Sequence, residues 1–425
     1  MKAKFVPRGG RYPGHVGDAA RPLDPPRRLL MGSGPSNPEP RVLRAMAVAP
    51  LASDDPAFER LLDQVSARGQ AVFQTANACT LAVPGASRAG IEAGLASLIV
   101  PGDRVLVGVY GHFGELLCTL AARHGAQVER VEAAWGAAVD VQAIVDRVRA
   151  APPRLVAIVH ADTSTGILQP LADIGQACRE TDTLFLVDAV LSLGGCEVNV
   201  DGWQIDVAIG GLQKCLGGPP GLALLSASER ARAVFAGQAA AIDSAYLDLA
   251  ALEALWVGRN GLEAAAVPTA MLYAAREALG IVLEEGLATR WARHARASQA
   301  LRAGLQAMGL ELFADEAQRV PMITLVRVPS GVDEAGVRAQ LLAQHGIEIM
   351  AAFGPLRGQV WRIGTMGTNA DLPSVLAVLA ALETVLVSRG EKVPRGAAVD
   401  AALADWSAAS GADWLRRGTG RAPGR

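Results

Sequence analysis

Lys214 stands in the window IGGLQKCLGGPPG (209–221), where an apolar run ends in two glycines and the lysine follows among small residues. Small neighbours let a bulky planar ligand approach the backbone, and a lysine shielded from water can lose its proton and attack an aldehyde. A surface lysine in a turn is the alternative. Asp188 closes a second apolar run, LFLVDAVLSLGG (184–195). A carboxylate there is costly unless a cation or a hydrogen-bond donor meets it. A helix N-cap or a structural ion pair would serve, and so would a protonated pyridine nitrogen. Together, an aldehyde-reactive lysine and a carboxylate for a pyridine nitrogen describe a site for pyridoxal phosphate, whose ring is then an electron sink.

Further pieces fall where strands give way to helices, the places at which α/β sheets assemble ligand sites. In PGASRAGIEAGLASLIVPGD (84–103) a Gly/Ser turn opens a helix whose free N–H groups suit a phosphate, with Ser87 and Arg88 at hand. An ordinary capped helix has the same look. YGHFGE (110–115) places Phe113 where a ring could stack on a flat cofactor or belong to the core. HADTSTG (160–166) offers hydroxyls to an oxygen-rich ligand, or is a polar turn. WRIGTMG (361–367) sets Arg362 in apolar surroundings, where its fork could grip a substrate carboxylate or an interdomain acid.

The elements that must position these residues are legible as a pattern. RVLVGV (104–109), QVERVEA (127–133), RLVAIVH (154–160), LFLVDAV (184–190), DVAIGG (206–211) and GLALLSA (221–227) are strand-like, and helical stretches such as FGELLCTLAARHG separate several of them. Near-continuous apolar strands alternating with helices imply an α/β fold with a mostly parallel sheet covered on both faces. Beyond about residue 240 a long helical region leads to three more strand candidates, 322–328, 346–352 and 358–364, with helical patterns at 333–344 and 371–388. That texture predicts a smaller C-terminal α+β domain. The expected division is an extended arm over 1–28, a large domain over 29–265, a small domain over 266–395, and a helix with a basic tail over 396–425. A chain of 425 residues suits two domains.

Composition narrows the partners. A formal net charge of -2 with both signs scattered gives no electrostatic reason to expect nucleic acid or an anionic membrane. Five widely spaced cysteines and six scattered histidines form no metal-ligand spacing, so no metal is expected and the thiols suit a reducing cytoplasm. No apolar run has transmembrane length, and the N-terminal stretch lacks a signal-peptide core.

In order along the chain, LLMGSGPSNPEPRVLRAM, DTSTGILQPL, LVDAVLSLGG, QKCLGGPPG and IEIMAAFGPLRGQVWRIGTMG resemble the class V aminotransferases of fold type I, over about residues 29–390. The resemblance is to the alanine– and serine–glyoxylate branch, and SRAGIEA, YGHFGELL, LGGCEVNVDGW and AIGGLQKCL look like its ureidoglycine–glyoxylate members. It implies a seven-stranded sheet, a homodimer with shared active sites clasped by the N-terminal arm, and amino transfer from a small amino acid (ureidoglycine, alanine or serine-like) to glyoxylate or a similar 2-oxo acid. Lys214 would attach the cofactor and move the substrate's proton, and Asp188 would hold the ring nitrogen. Phe113 would stack on the ring, Ser87, Arg88 and Gln213 would surround the phosphate, and Thr163 would lie near the phenolic oxygen. Arg362 would take the substrate carboxylate, with backbone atoms of Ser36 and Asn37 at the substrate mouth.

Two departures bear on substrate. Where relatives carry a His-His-Thr-like segment that reaches the neighbouring subunit's phosphate, this chain has Glu263 followed by AAAVP. Ureidoglycine enzymes resemble one another in a glutamine where Ser53 stands and an asparagine where Glu263 stands, both at the substrate's ureido group. A lyase or a pyridoxamine-type transaminase on the same cofactor is the alternative reaction, and a non-catalytic regulator or scaffold the alternative class.

Overall fold

The computed structural model describes residues 23–238, 244–260 and 268–408. Its main sheet has seven strands in the order Cys79–Pro84, Leu222–Ala227, Val207–Gly211, Leu184–Asp188, Leu155–Val159, Arg104–Val109 and Gln127–Glu132. Leu222–Ala227 alone runs antiparallel to its neighbours, and every other pairing among its five remaining strands is parallel. The three central strands are buried along their whole length, because helices cover both faces and leave no solvent side for polar residues. Only the edge strand Gln127–Glu132 keeps a largely polar, partly exposed sequence, which discourages pairing with another chain.

The expected mostly parallel sheet with a smaller α+β unit is the fold found. Cys79–Pro84, absent from the sequence-based set of strands, is a short apolar run that passes straight into the Gly85 turn, so periodicity alone did not separate it from the helix that follows. The run 346–352, expected as one strand, divides. Ile347–Glu348 pairs in parallel with Leu29–Leu30, and Met350–Ala351 joins the three-stranded antiparallel sheet with Val360–Gly364 and Ile323–Arg327. The helix at 333–344 is Glu334–Gln340, finished by a wider turn over Leu341–His345 before Gly346 at φ +65°.

A second apolar core gathers Met31 with the helices Leu287–Ala307, Leu372–Ser388 and Ala397–Ala408 around Trp361 and Ile363. The buried face of helix Thr269–Glu285 instead joins the core of the main sheet, beside helix Pro56–Phe73. Among the described residues no helix is long and apolar enough to cross a membrane, and no group of three or more His, Cys, Asp or Glu could hold a metal ion.

Candidate active site

Lys214 follows the end of strand Val207–Gly211 and turns back beneath the N-terminal segment. Its Nζ donates to the Ser33 carbonyl. The Ser36 N–H donates to the Gln213 carbonyl at 2.9 Å, and the Ser36 hydroxyl donates to the Lys214 carbonyl at 2.9 Å. Gly34 has φ +107°, and a Cβ there would stand 2.2 Å from Lys214 Nζ, so only glycine allows the lysine this close. Burial, helped by the positive charge of Arg362, pushes the Lys214 amine down to about 8.

Asp188 is the last residue of Leu184–Asp188 and is 4% exposed. It accepts a 2.9 Å hydrogen bond from the Val190 N–H and has no ion pair among the described residues. Burial pushes its carboxyl up to about 7, with Asp162 adding to the rise and Lys214 opposing it. A buried carboxyl without a cation, beside a lysine of lowered basicity, fits a ligand that brings its own positive nitrogen.

At the other end, helix Ser87–Leu98 begins without a side-chain cap. Buried Ser87 exchanges hydrogen bonds with the Gln213 side chain, donating at 3.1 Å and accepting at 2.8 Å. A Cβ on Gly211 would lie 2.7 Å from Ser87 Oγ, so strand end and helix start meet face to face. Open N–H groups, a serine and an amide fit a phosphate at this helix start. Arg88 is exposed and has no ion pair among the described residues.

Arg362 rises from strand Val360–Gly364. Nε donates to the Ala351 carbonyl at 2.8 Å and Nη1 to the Thr163 carbonyl at 3.0 Å, while Nη2 makes no hydrogen bond among the described residues. Burial lowers its pKa to about 10. The Thr163 hydroxyl also has no partner among the described residues. Phe113, near the start of helix His112–Arg123, meets Phe353 edge-on with ring centres 6.2 Å apart.

Sequence reasoning missed the residues that hold this helix. Buried Asp162 accepts from the Ser164 N–H at 2.7 Å, the Ser164 hydroxyl at 2.6 Å and the Phe113 N–H at 3.3 Å. Ser164 Oγ accepts in turn from the His112 N–H at 2.8 Å. A Cβ on Gly111 would sit 2.4 Å from Asp162 Oδ2. The Asp-x-Ser spacing in HADTSTG was the available signal, since such pairs form local turns. His160, behind Asp188, is held neutral by burial, with its pKa down to about 3, and its Nδ1 lies 2.9 Å from the Ser192 hydroxyl.

Not every expected residue joins the cluster through its side chain. Asn37 is spent on structure: its Oδ1 accepts from the Leu30 N–H and Asn369 Nδ2, and its carbonyl accepts from Thr368. Ser53 lies half-buried in the turn before helix Pro56–Phe73, with no hydrogen bond to the Lys214 cluster. Glu263 lies outside the described residues.

Behind the lysine turn, Glu285 receives Arg290 at 2.6 Å and Arg293 at 2.6 Å. Arg293 also donates to the Gly367 and Ala370 carbonyls at 2.8 and 3.1 Å, and neutral His294 accepts from the Gly367 N–H at 3.0 Å. One buried network thus holds the loop that follows Arg362.

The family described as aminotransferase class-V matches residues 58–359. A curated relative, the (S)-ureidoglycine–glyoxylate transaminase of Bacillus subtilis, is 45% identical over 401 residues, covering 90% of this chain and 96% of that one. The alanine–glyoxylate aminotransferase of Callithrix jacchus is 37% identical, covering 86% and 89%. The crystal structure of the ureidoglycine–glyoxylate aminotransferase from Bacillus subtilis superimposes with a TM-score of 0.89 at 46% identity, covering 91% of this chain and all of that one.

Proposed function

The chain belongs to the class V aminotransferases, a family of pyridoxal-phosphate enzymes, and from that premise we propose that it moves the amino group of a small amino acid to glyoxylate or a similar 2-oxo acid. The observation that carries this reading is the buried, cation-free Asp188 beside the shielded amine of Lys214. Bound there, the cofactor supplies an electron sink for negative charge at the substrate's α-carbon.

The chain's own residues do the rest. Asp188 would hold the ring nitrogen in its charged form, and that positive charge would favour the ionised form of its own carboxyl. Lys214 Nζ would be the attachment point, and once the substrate's amine has displaced it, the freed amine, near 8 and partly unprotonated at neutral pH, would be the base that takes the α-proton. Ser87 and Gln213 would hold the phosphate with Arg88 beside them, Thr163 would offer its hydroxyl to the phenolic oxygen, and Phe113 would stack on the ring. Arg362 presents Nη2 to the substrate carboxylate, and the backbone of Ser36 and Asn37 borders the entrance.

Ureidoglycine, alanine and serine-like donors all carry a carboxylate for that fork, and the family resemblance assigns Ser53 and Glu263 to the group that distinguishes them. We take the assembly to be a homodimer, supported by apolar Leu43 and Val48, which lie 49% and 57% exposed on and beside helix Pro40–Met46. Five free thiols support a cytoplasmic setting. The test is a half-reaction: the loaded enzyme should lose its visible absorbance with a donor and regain it with glyoxylate. Failure with every small donor would exclude amino transfer, and a monomer in sedimentation would exclude the dimer.

A further inference from the structure

Phe353 lies between two other planar groups. On one side the guanidinium carbon of Arg362 is 4.3 Å from the ring centre. On the other the His112 ring stacks on it, with centres 4.5 Å apart and planes 21° apart. The chain fixes this ring from both flanks. Ala352 and Leu356 are buried, and Gly354, at φ +49°, packs so tightly that a Cβ would stand 2.7 Å from Trp135. The main chain of His112 is anchored independently, its backbone N–H donating to Ser164 and thus tied to Asp162.

The consequence for Arg362 is directional. Two of its edges are tied to the Ala351 and Thr163 carbonyls, and an aromatic face covers one side of the guanidinium plane. A guanidinium stacked on a ring keeps its in-plane N–H donors free. What remains is the Nη2 edge, which makes no hydrogen bond among the described residues, while Phe113 meets the Phe353 ring edge-on.

We propose that Phe353 is the positioning residue for Arg362, holding its free edge in the plane in which a small substrate's carboxylate must bind, and that His112 backs Phe353. This rests on the carboxylate-binding reading of Arg362 given above.

The experiment titrates the cofactor-loaded enzyme with propionate, an unreactive carboxylate, by calorimetry, alongside glyoxylate kinetics. Once released, the guanidinium must be re-aligned before it can bind, at a cost of up to the cation–π contact that held it, so Phe353→Leu should weaken propionate and raise the glyoxylate KM by about 5- to 30-fold. Its kcat and visible absorption band should stay unchanged, and Phe353→Tyr should restore affinity. His112→Phe should bind propionate normally and His112→Ala more weakly, by about 2- to 5-fold, a loss suited to one stacked ring pair. Arg362→Ala is the control for the underlying reading. If it binds propionate like wild type, the carboxylate role of Arg362 fails. If it loses binding while Phe353→Leu does not, the positioning role alone fails. Should Phe353→Leu not fold, equal affinities for His112→Ala and His112→Phe would overturn the inference.

Discussion

The guanidinium of Arg290 donates a 2.6 Å hydrogen bond to the carbonyl oxygen of Cys215, the residue that follows Lys214. Arg290 is buried and its other end meets Glu285, so it joins the lysine turn to the network that holds the loop after Arg362. Arg290→Met would leave Glu285 without one of its two cations and the Cys215 carbonyl unpaired. Breaking a buried pair of this kind costs about 3–5 kcal/mol. Urea unfolding of the cofactor-free protein should show that loss, whereas a change below about 1 kcal/mol, the range of exposed pairs, would mean the link carries little.

Lys214→Ala is expected to retain no covalently attached cofactor and to lose the visible band after dialysis. In wild type the rate of attachment should rise with pH, because only the unprotonated amine attacks an aldehyde. With the amine lowered to about 8, the rise should level off just above that pH. A lysine of ordinary basicity would keep accelerating toward pH 10, so stopped-flow mixing across pH 6–10 separates the two.

For Asp188 the sign runs the other way. Its folded value of about 7 lies above the ordinary 3.8. Below pH 4 the carboxyl is protonated in both states and folding bears no penalty. As pH rises from 4 to 7 the unfolded chain releases its proton first, stability falls, and the whole penalty stands above pH 7. Asp188→Asn removes it, so the cofactor-free variant should gain on the order of 2–4 kcal/mol at pH 8 and nothing near pH 4. The loaded variant should turn over at least ~100-fold more slowly, having lost the charge that holds the ring nitrogen. Denaturant midpoints at the two pH values would refute the account if the gain were the same at both.

The donor is tested by exchanging the two departures from the ureidoglycine pattern. Ser53→Gln together with Glu263→Asn should raise ureidoglycine-dependent amination of glyoxylate by about tenfold or more, the scale of one or two hydrogen bonds to a substrate, and leave alanine turnover largely unchanged. No gain would mean that these two positions do not set the choice of donor.

What the sequence revealed follows from cost. Asp188 and Lys214 were visible because a charge at the end of an apolar run demands a reason, and Ser87 because a glycine turn opening a helix leaves free N–H groups. Ser33 was not visible, since it meets Lys214 through its carbonyl across 181 positions, and the Asp162–Ser164 pair showed only as a local turn, because what it holds, the backbone of His112 and Phe113, lies about 50 positions away. Nothing in the sequence singled out Phe353, whose role exists only once the fold sets it between His112 and Arg362. The break within 346–352 was hidden for a related reason. Ile347 and Met350 belong to different sheets, and hydrophobic alternation does not say which partner a strand will find.

The N-terminal segment has a consequence for how the protein is made. Asn37 meets Asn369 across 332 positions, and Leu29–Leu30 pairs with Ile347–Glu348 from the same distant part of the chain. At about 5–20 residues per second, a ribosome needs roughly 15–65 s to deliver those partners after the segment has emerged. Throughout that interval the main sheet can grow while the strand that must lie against the lysine turn waits at the opposite end of the nascent chain. A chain stalled before Asn369 therefore lacks the tie between that segment and the small unit, and the cover over the lysine turn is completed only after the stretch carrying Asn369 has emerged.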